Sequence, residues 1–194
     1  MPADLQWTAL EWPGLEHVIA SADADGFRAD SQLIAGPPPG PARVSYQLRC
    51  DASWRFTALT ITVTGAAGSR TLDLTASQDG HWLADGQPRR DLDGCTDIDI
   101  SLTPLTNTLP IRRLGWSPGA ARDLAVAYVS APELSVRPVR QRYTLLSRDE
   151  QHKHALYRYE SGSFRADLTV DGDGFVTGYP GLWRRVDPGA GAAA

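Results

Sequence analysis

Apolar and polar residues alternate along most of the chain with a period of two. That period is typical of strands with one buried face, and these runs are rich in β-branched and aromatic residues, which favour strands. Strands are predicted at residues 44–50, 55–63, 70–76, 97–103, 124–129, 142–146, 155–160 and 164–170. The pattern indicates an all-β protein.

Turn signals separate these runs at short intervals. They are Asp25-Gly26, Asp79-Gly80, Asp85-Gly86, Asp93-Gly94 and the Asp-Gly-Asp-Gly run at 171–174. Such dipeptides join sequential hairpins, so the pairing should be antiparallel. No segment keeps a helical apolar spacing over three turns with caps at both ends, so we expect little helix.

The chain has 194 residues and a mass of 21.0 kDa, which suits one domain with a substantial core. We place that domain at residues 1–187 and expect the Gly- and Ala-rich residues 188–194 to form a disordered tail. The proline-rich residues 36–41 are too short for a domain linker and are predicted to connect two strands stiffly.

Charge and hydropathy exclude several classes of partner. The net charge is −4 and no run of basic residues occurs, so no nucleic-acid partner is expected. The longest strongly apolar stretch, residues 124–129, is far shorter than the ~20 residues of a membrane helix. The first residues carry neither a basic flank nor an apolar run typical of a signal peptide, which favours a soluble, cytoplasmic protein without an integral membrane segment.

Cysteine and histidine spacing indicates neither a metal site nor a cofactor. Cys50 and Cys95 form no CxxC pair and lie near no histidine cluster, so we expect two reduced, buried thiols. The run at 171–174 lacks the third acidic ligand and the closing Glu of a calcium-binding loop, which favours a hairpin turn.

Residues 115–119, Gly-Trp-Ser-Pro-Gly, match the nucleophile elbow of serine hydrolases in form only. In that elbow the residue after the serine donates its backbone N–H to the oxyanion hole. Here that residue is Pro118, which has no N–H, so the motif is not functional.

Asp97 and Asp99 alternate with apolar residues and therefore share one face of a predicted strand. Their Cα atoms would lie roughly 6.5 to 7 Å apart, a spacing that could place two carboxylates around a glycosidic bond. The competing interpretation is that Arg112 and Arg113, returning on the next strand, neutralise these acids in a partly buried clamp. We favour the clamp because nothing in the sequence marks which acid would stay protonated.

Several strings in the chain resemble the putative glycolipid-binding domain family of bacteria. They include Trp12 and Glu16, the region from 46 to 54, GCTDIDISLTPLTNTLPIRRL at 94–114, APEL at 131–134, QRYTL at 141–145 and the closing DGDGFVTGYPGLWRRV. The resemblance implies a fold similar to lipoprotein-carrier proteins, in which a strongly curved antiparallel sheet forms a barrel or half-barrel around an apolar cavity. In such a sheet Pro104 and Pro110 would mark a corner.

The resemblance implies a non-catalytic carrier or sensor that holds a glycolipid or fatty-acyl ligand in the barrel cavity, with the length of the acyl chain mattering more than the headgroup. Aromatic rings with a polar group suit the mouth of such a cavity. The candidate ligand-binding residues are Trp54, Asp97, Asp99, Asn107, Arg112, Arg113, Tyr143, Tyr179 and Trp183. Two alternatives remain open: a glycosidase-like hydrolase that uses the two acids, and a structural module that binds a protein partner. The sequence does not specify an oligomeric state.

Overall fold

The computed structural model describes residues 2–36 and 40–186. The predicted tail at 188–194 and the centre of the proline-rich connection, residues 37–39, lie outside these ranges. The strands are β1 (Ala3–Ala9), β2 (Gly14–Asp23), β3 (Gly26–Ala35), β4 (Ala42–Cys50), β5 (Phe56–Gly65), β6 (Gly68–Ala76), β7 (Trp82–Ala84), β8 (Gln87–Pro88), β9 (Asp97–Ile100), β10 (Ala121–Ser130), β11 (Ser135–Asp149), β12 (His154–Ser161), β13 (Phe164–Val170), β14 (Val176–Tyr179) and β15 (Trp183–Arg185).

All fifteen strands belong to one sheet, which curls without closing. Its order is β8-β7-β6-β5-β4-β3-β2-β1-β15-β14-β13-β12-β11-β10-β9. Neighbouring strands are antiparallel except β9 and β10, which run parallel. The two edge strands, β8 and β9, follow each other in the chain across a 3-10 helix at Arg90–Leu92. The all-β, barrel-like class predicted from the sequence is therefore confirmed.

Each predicted strand overlaps an observed one, but the pattern missed β1 to β3, β7, β8, β14 and β15. In β2 the inward positions include Glu16, whereas Leu15 and Ile19 on the outer face are exposed, so hydrophobicity does not separate the two faces. The Asp93-Gly94 turn was also assigned wrongly, because it follows the 3-10 helix and joins no hairpin. Burial of Cys50 and Cys95 is confirmed.

The strand predicted at 97–103 ends at Ile100, and the chain then enters the interior of the curled sheet. A 3-10 helix at Leu105–Asn107 leads into α1 (Thr108–Arg113). Parallel strands cannot be joined by a tight hairpin, and this excursion is the crossover that lets β10 lie parallel to β9. Arg112 and Arg113 thus come from a short helix and not from a returning strand, which corrects the predicted geometry of the clamp.

Residues 102–111, which we call the plug, are all buried. Pro110 fits because it lies in the first turn of α1, where a missing backbone N–H costs no helical hydrogen bond. Leu105 and Leu109 are fully inaccessible to solvent and belong to the main hydrophobic core. The plug therefore occupies the interior in which the family resemblance implied an apolar cavity.

Candidate functional site

A groove of about 230 Å³ opens beside the start of the plug, at one end of the sheet. Its aromatic lining consists of Tyr128, Tyr159, Phe164, Tyr179 and Trp183, and its polar lining of Asp99, Ser101, Thr103, Asn107, Arg137 and Ser161. We call it the aromatic groove. It brings together four of the nine residues predicted from sequence: Asp99, Asn107, Tyr179 and Trp183.

Three rings of the aromatic groove, those of Tyr159, Phe164 and Tyr179, support one another. Tyr159 is central: its ring centroid lies 6.0 Å from that of Phe164 and 6.2 Å from that of Tyr179. Trp183 is held edge-to-face against Trp12, with centroids 5.2 Å apart and planes at 89°. Such contacts fix the orientation of the rings. The groove therefore presents preformed aromatic surfaces.

Asp99 gives the groove a carboxyl group with no cationic partner among the described residues. Thr106 Oγ1 donates to Asp99 Oδ1 over 2.8 Å, and Gln141 Nε2 donates to Asp99 Oδ2 over 2.5 Å. Burial raises the pKa of Asp99, and these two hydrogen bonds oppose the shift. The carboxyl oxygens keep lone pairs that can accept hydrogen bonds from ligand hydroxyl groups.

Arg137 supplies a positive charge on the same face of the sheet. Across the three strands β9, β10 and β11, Tyr128 pairs with both Asp99 and Arg137, so these three residues form one row. The guanidinium carbon of Arg137 lies 5.2 Å from the Tyr128 ring centroid. The tyrosine separates the two charges, and both remain on the groove lining.

Tyr143 lies beneath the groove, where it positions Asn107. Its hydroxyl donates to Asn107 Oδ1 over 2.8 Å, while Asn107 Nδ2 donates to the Pro104 carbonyl over 3.2 Å. Burial raises the pKa of Tyr143 well above its ordinary value, so this hydroxyl stays protonated as a donor. Tyr143, predicted as a ring at the mouth, is instead part of the support under it.

Asp97 has a different environment from Asp99. Arg113 Nε and Nη2 donate to its two carboxylate oxygens over 3.0 and 2.5 Å, and Thr96 Oγ1 donates over 2.7 Å. The side chain of Asp97 is 1% exposed and that of Arg113 is 13% exposed. The predicted buried clamp is confirmed for this pair. Asp97 does not line the aromatic groove.

Arg112 takes no part in the clamp. Its guanidinium carbon lies 4.9 Å from the ring centroid of Trp54, which in turn stacks on Phe27. Trp54 and Arg112 line a separate groove of about 170 Å³. Phe27 is the second residue of β3 and Trp54 follows β4, so this groove is at the opposite end of the sheet from Trp183. The nine predicted residues therefore do not form one site.

A buried polar network, which the sequence pattern did not predict, attaches the plug to the sheet wall. Ser31 Oγ and Tyr46 Oη donate to Glu16 Oε1 over 2.8 and 2.7 Å, and Thr103 Oγ1 donates to Glu16 Oε2 over 2.7 Å. Burial raises the pKa of Glu16 from its ordinary 4.5 to about 7, against the opposing effect of these hydrogen bonds. A sequence signal existed. Glu16 lies two and four residues before Val18 and Ala20 on the same strand, and therefore on the same inward face.

In the described part of the chain no helix has the length and apolarity needed to cross a bilayer. Within the same residues no group of three or more His, Cys, Asp or Glu side chains is placed to hold a metal ion.

Comparison with known proteins gives a family and a fold. The family model described as "Putative glycolipid-binding" matches residues 4–185. The chain is similar to the crystal structure of a DUF1089 family protein from Pseudomonas aeruginosa, with 40% identity, a TM-score of 0.77 and coverage of 88% of this chain and 92% of that one. It also shares its fold with a β-barrel-like DUF1849 protein from Brucella abortus, at 11% identity, a TM-score of 0.54 and coverage of 95% and 93%. No curated protein matches the sequence. The family match spans nearly the whole chain, which therefore belongs to the putative glycolipid-binding family.

Proposed function

We propose that the protein is a non-catalytic carrier or sensor of a glycolipid or a similar amphipathic ligand, and that it binds the sugar headgroup in the aromatic groove. One observation carries the proposal: the Asp99 carboxyl group, three aromatic side chains in mutual contact and the Trp183 ring, which packs on Trp12, line the same groove. Sugar rings stack on aromatic faces while their hydroxyl groups bond to neighbouring acceptors. The family description supports the same class of ligand.

The size of the groove favours a headgroup over an acyl chain. Sites for drug-sized ligands enclose roughly 300 to 1,000 Å³, and this groove has about 230 Å³. Because the plug occupies the interior, the acyl chain would lie along the rim. Phe164, 42% exposed, lies on the groove, and Leu10, 48% exposed, donates its backbone N–H to the carbonyl of the groove residue Leu182. Headgroup and chain would then both contribute to affinity.

The geometry favours binding over glycoside hydrolysis. The hydrolase alternative needs two carboxyl groups that flank one bond. Asp99 lines the groove, whereas both carboxylate oxygens of Asp97 are bound by Arg113 outside it. No comparable observation favours the structural-module alternative.

A titration with octyl glucoside, glucose and octanoate tests the proposal. We expect saturable binding that is tightest for octyl glucoside, because only this probe carries both a sugar and a chain. Asp99→Asn should weaken octyl glucoside and glucose binding but not octanoate binding. Phe164→Ala should weaken octyl glucoside binding, whereas Ile19→Ala, a matched control with the same 42% exposure on the outer face of β2, should not.

Two results would contradict the proposal. One is the absence of saturable binding for every probe. The other is turnover of a chromogenic glucoside that Asp99→Asn abolishes, since that would favour the hydrolase.

A further inference from the structure

A larger groove, of about 700 Å³, lies at the end of the sheet opposite the aromatic groove. The connections β11–β12 and β13–β14 and the end of α1 form its walls. Its basic lining residues are Arg112, Arg148, Lys153 and His154. We propose that this groove, which we call the basic groove, binds a phosphomonoester. The proposal does not depend on the function of the aromatic groove.

Two glycines of the Asp-Gly-Asp-Gly turn make room for two of these basic side chains. A Cβ atom on Gly172 would lie 2.9 Å from Lys153 Cβ, and one on Gly174 would lie 2.9 Å from Arg112 Cδ. Real side chains do not approach so closely, so each glycine leaves space for the aliphatic part of a basic side chain. The two glycines are two residues apart, so their Cα atoms lie at most about 7 Å from each other. The turn therefore gathers two positive side chains.

Lys153 has a backbone conformation that its residue type disfavours. Its φ is +53°, in the left-handed region. Glycine or asparagine adopts that region at lower cost. Lys153 can therefore be exchanged for asparagine without a backbone cost, which isolates the effect of its charge.

Four carboxyl groups also line the groove, and three of them already have partners. Asp171 Oδ1 accepts the backbone N–H groups of Asp173 and Phe175, and its Oδ2 accepts from Arg185. Asp149 in the same way accepts hydrogen bonds from two backbone N–H groups, and its other oxygen pairs with ring Nδ1 of His152. Of the remaining acids, Glu150 is exposed and lies 3.9 Å from Arg148, and Asp173 is exposed.

Arg112 and Lys153, by contrast, form no ion pair with any described residue. Arg112 is nevertheless held in position, because its guanidinium covers the Trp54 ring and its stem crosses Gly174. A guanidinium can bind a phosphate with two parallel hydrogen bonds, and an ammonium adds a point charge. Together they suit a dianionic, terminal phosphate group.

The test is calorimetric titration with inorganic phosphate and with glycerol 3-phosphate, and flotation with phosphatidylcholine vesicles that contain or lack phosphatidic acid. We expect one phosphate ligand per chain. Lys153→Asn should weaken binding about tenfold, because it removes a charge-assisted contact, while leaving Tm unchanged or higher because asparagine tolerates the left-handed region. Arg112→Gln should weaken binding similarly. Arg49→Gln, which removes an exposed arginine of β4 away from the groove, is the control and should leave phosphate binding unchanged.

The two arms identify the source of the phosphate group. Binding of both soluble phosphates supports a free phosphomonoester, whereas binding only to vesicles that contain phosphatidic acid supports a lipid headgroup. The proposal is overturned if none of the three phosphate probes binds at millimolar concentration, or if Lys153→Asn and Arg112→Gln bind as tightly as the Arg49→Gln control.

Discussion

Glu16 is a fully buried carboxyl group that receives three hydroxyl hydrogen bonds and no ion pair among the described residues. An ionised carboxylate in such a place is costly, which is the reason its pKa rises to about 7. Folding therefore favours the protonated form.

This shift predicts a stability that falls as the pH rises. The contribution of Glu16 is fully present below its ordinary pKa of 4.5 and is lost as the pH passes through about 7. Each unit of the pKa shift is worth about 1.4 kcal/mol, so the free energy of unfolding should fall by about 3 kcal/mol over this range. Urea unfolding of Glu16→Gln between pH 4.5 and 8 should show a much flatter profile than the parent. Glu11→Gln, at an exposed position, should keep the parent profile, and an unchanged slope in Glu16→Gln would contradict the burial argument.

The Asp97–Arg113 pair predicts a large cost when one partner is removed. Asp97→Ala leaves the Arg113 charge without its partner in a mostly buried site and should lower the free energy of unfolding by about 3 to 5 kcal/mol. The control is Asp123→Ala, which breaks an ion pair with Arg142 whose two side chains are more than half exposed; it should cost about 0 to 1 kcal/mol. Equal melting temperatures for these two variants would show that the clamp contributes nothing.

These residues differ in how well the sequence predicted them. The clamp followed from two acids in a strand pattern and two arginines close by, which are local signals. Arg113 met Asp97 as expected, but Arg112 lies instead on Trp54, because successive residues of a helix point in different directions. Glu16 gave only a weak local signal, since its partners come from β3, β4 and the plug.

Among the elements, the plug is the one that the sequence described least well. Pro104 and Pro110 were interpreted as a corner of the sheet, and both helices between Leu105 and Arg113 were missed. A six-residue helix whose first four residues are all buried gives no amphipathic period. The 3-10 helix before it is held by the surrounding sheet, because Asp99 accepts a hydrogen bond from Thr106 and Tyr143 donates one to Asn107.

Thr103 should control how firmly the plug is attached. Its hydroxyl donates to Glu16 and accepts from the backbone N–H of Leu105. Thr103→Val keeps the shape of the side chain and removes both hydrogen bonds. We therefore expect the free energy of unfolding to fall by about 1 to 3 kcal/mol. Hydrogen exchange at Leu105 and Leu114 should accelerate more than exchange in β4. Thr62→Val, which removes an exposed hydroxyl contact with Thr71, is the control and should leave the plug unchanged; equal exchange in both variants would contradict this role.

At the scale of the whole molecule, strand alternation and family resemblance together predicted a curled β-sheet, because alternation is a local property and hairpin turns have strong signals. They did not predict that a buried segment would occupy the interior. Whether a curved sheet encloses a cavity depends on what its connections insert, and here one crossover places the plug inside. As a result, the two grooves that we propose as binding sites open at opposite ends of the sheet.

The most direct test of this account is an NMR titration of the isotopically labelled protein with octyl glucoside, with backbone amide shifts as the measurement. The account predicts saturable shifts at Asp99, Ser161 and Phe164, which line the aromatic groove, while Leu105 and Leu109 in the plug stay unchanged. Large shifts throughout the plug with little change at the groove would place the ligand inside the sheet and contradict the account, as would the absence of any saturable shift.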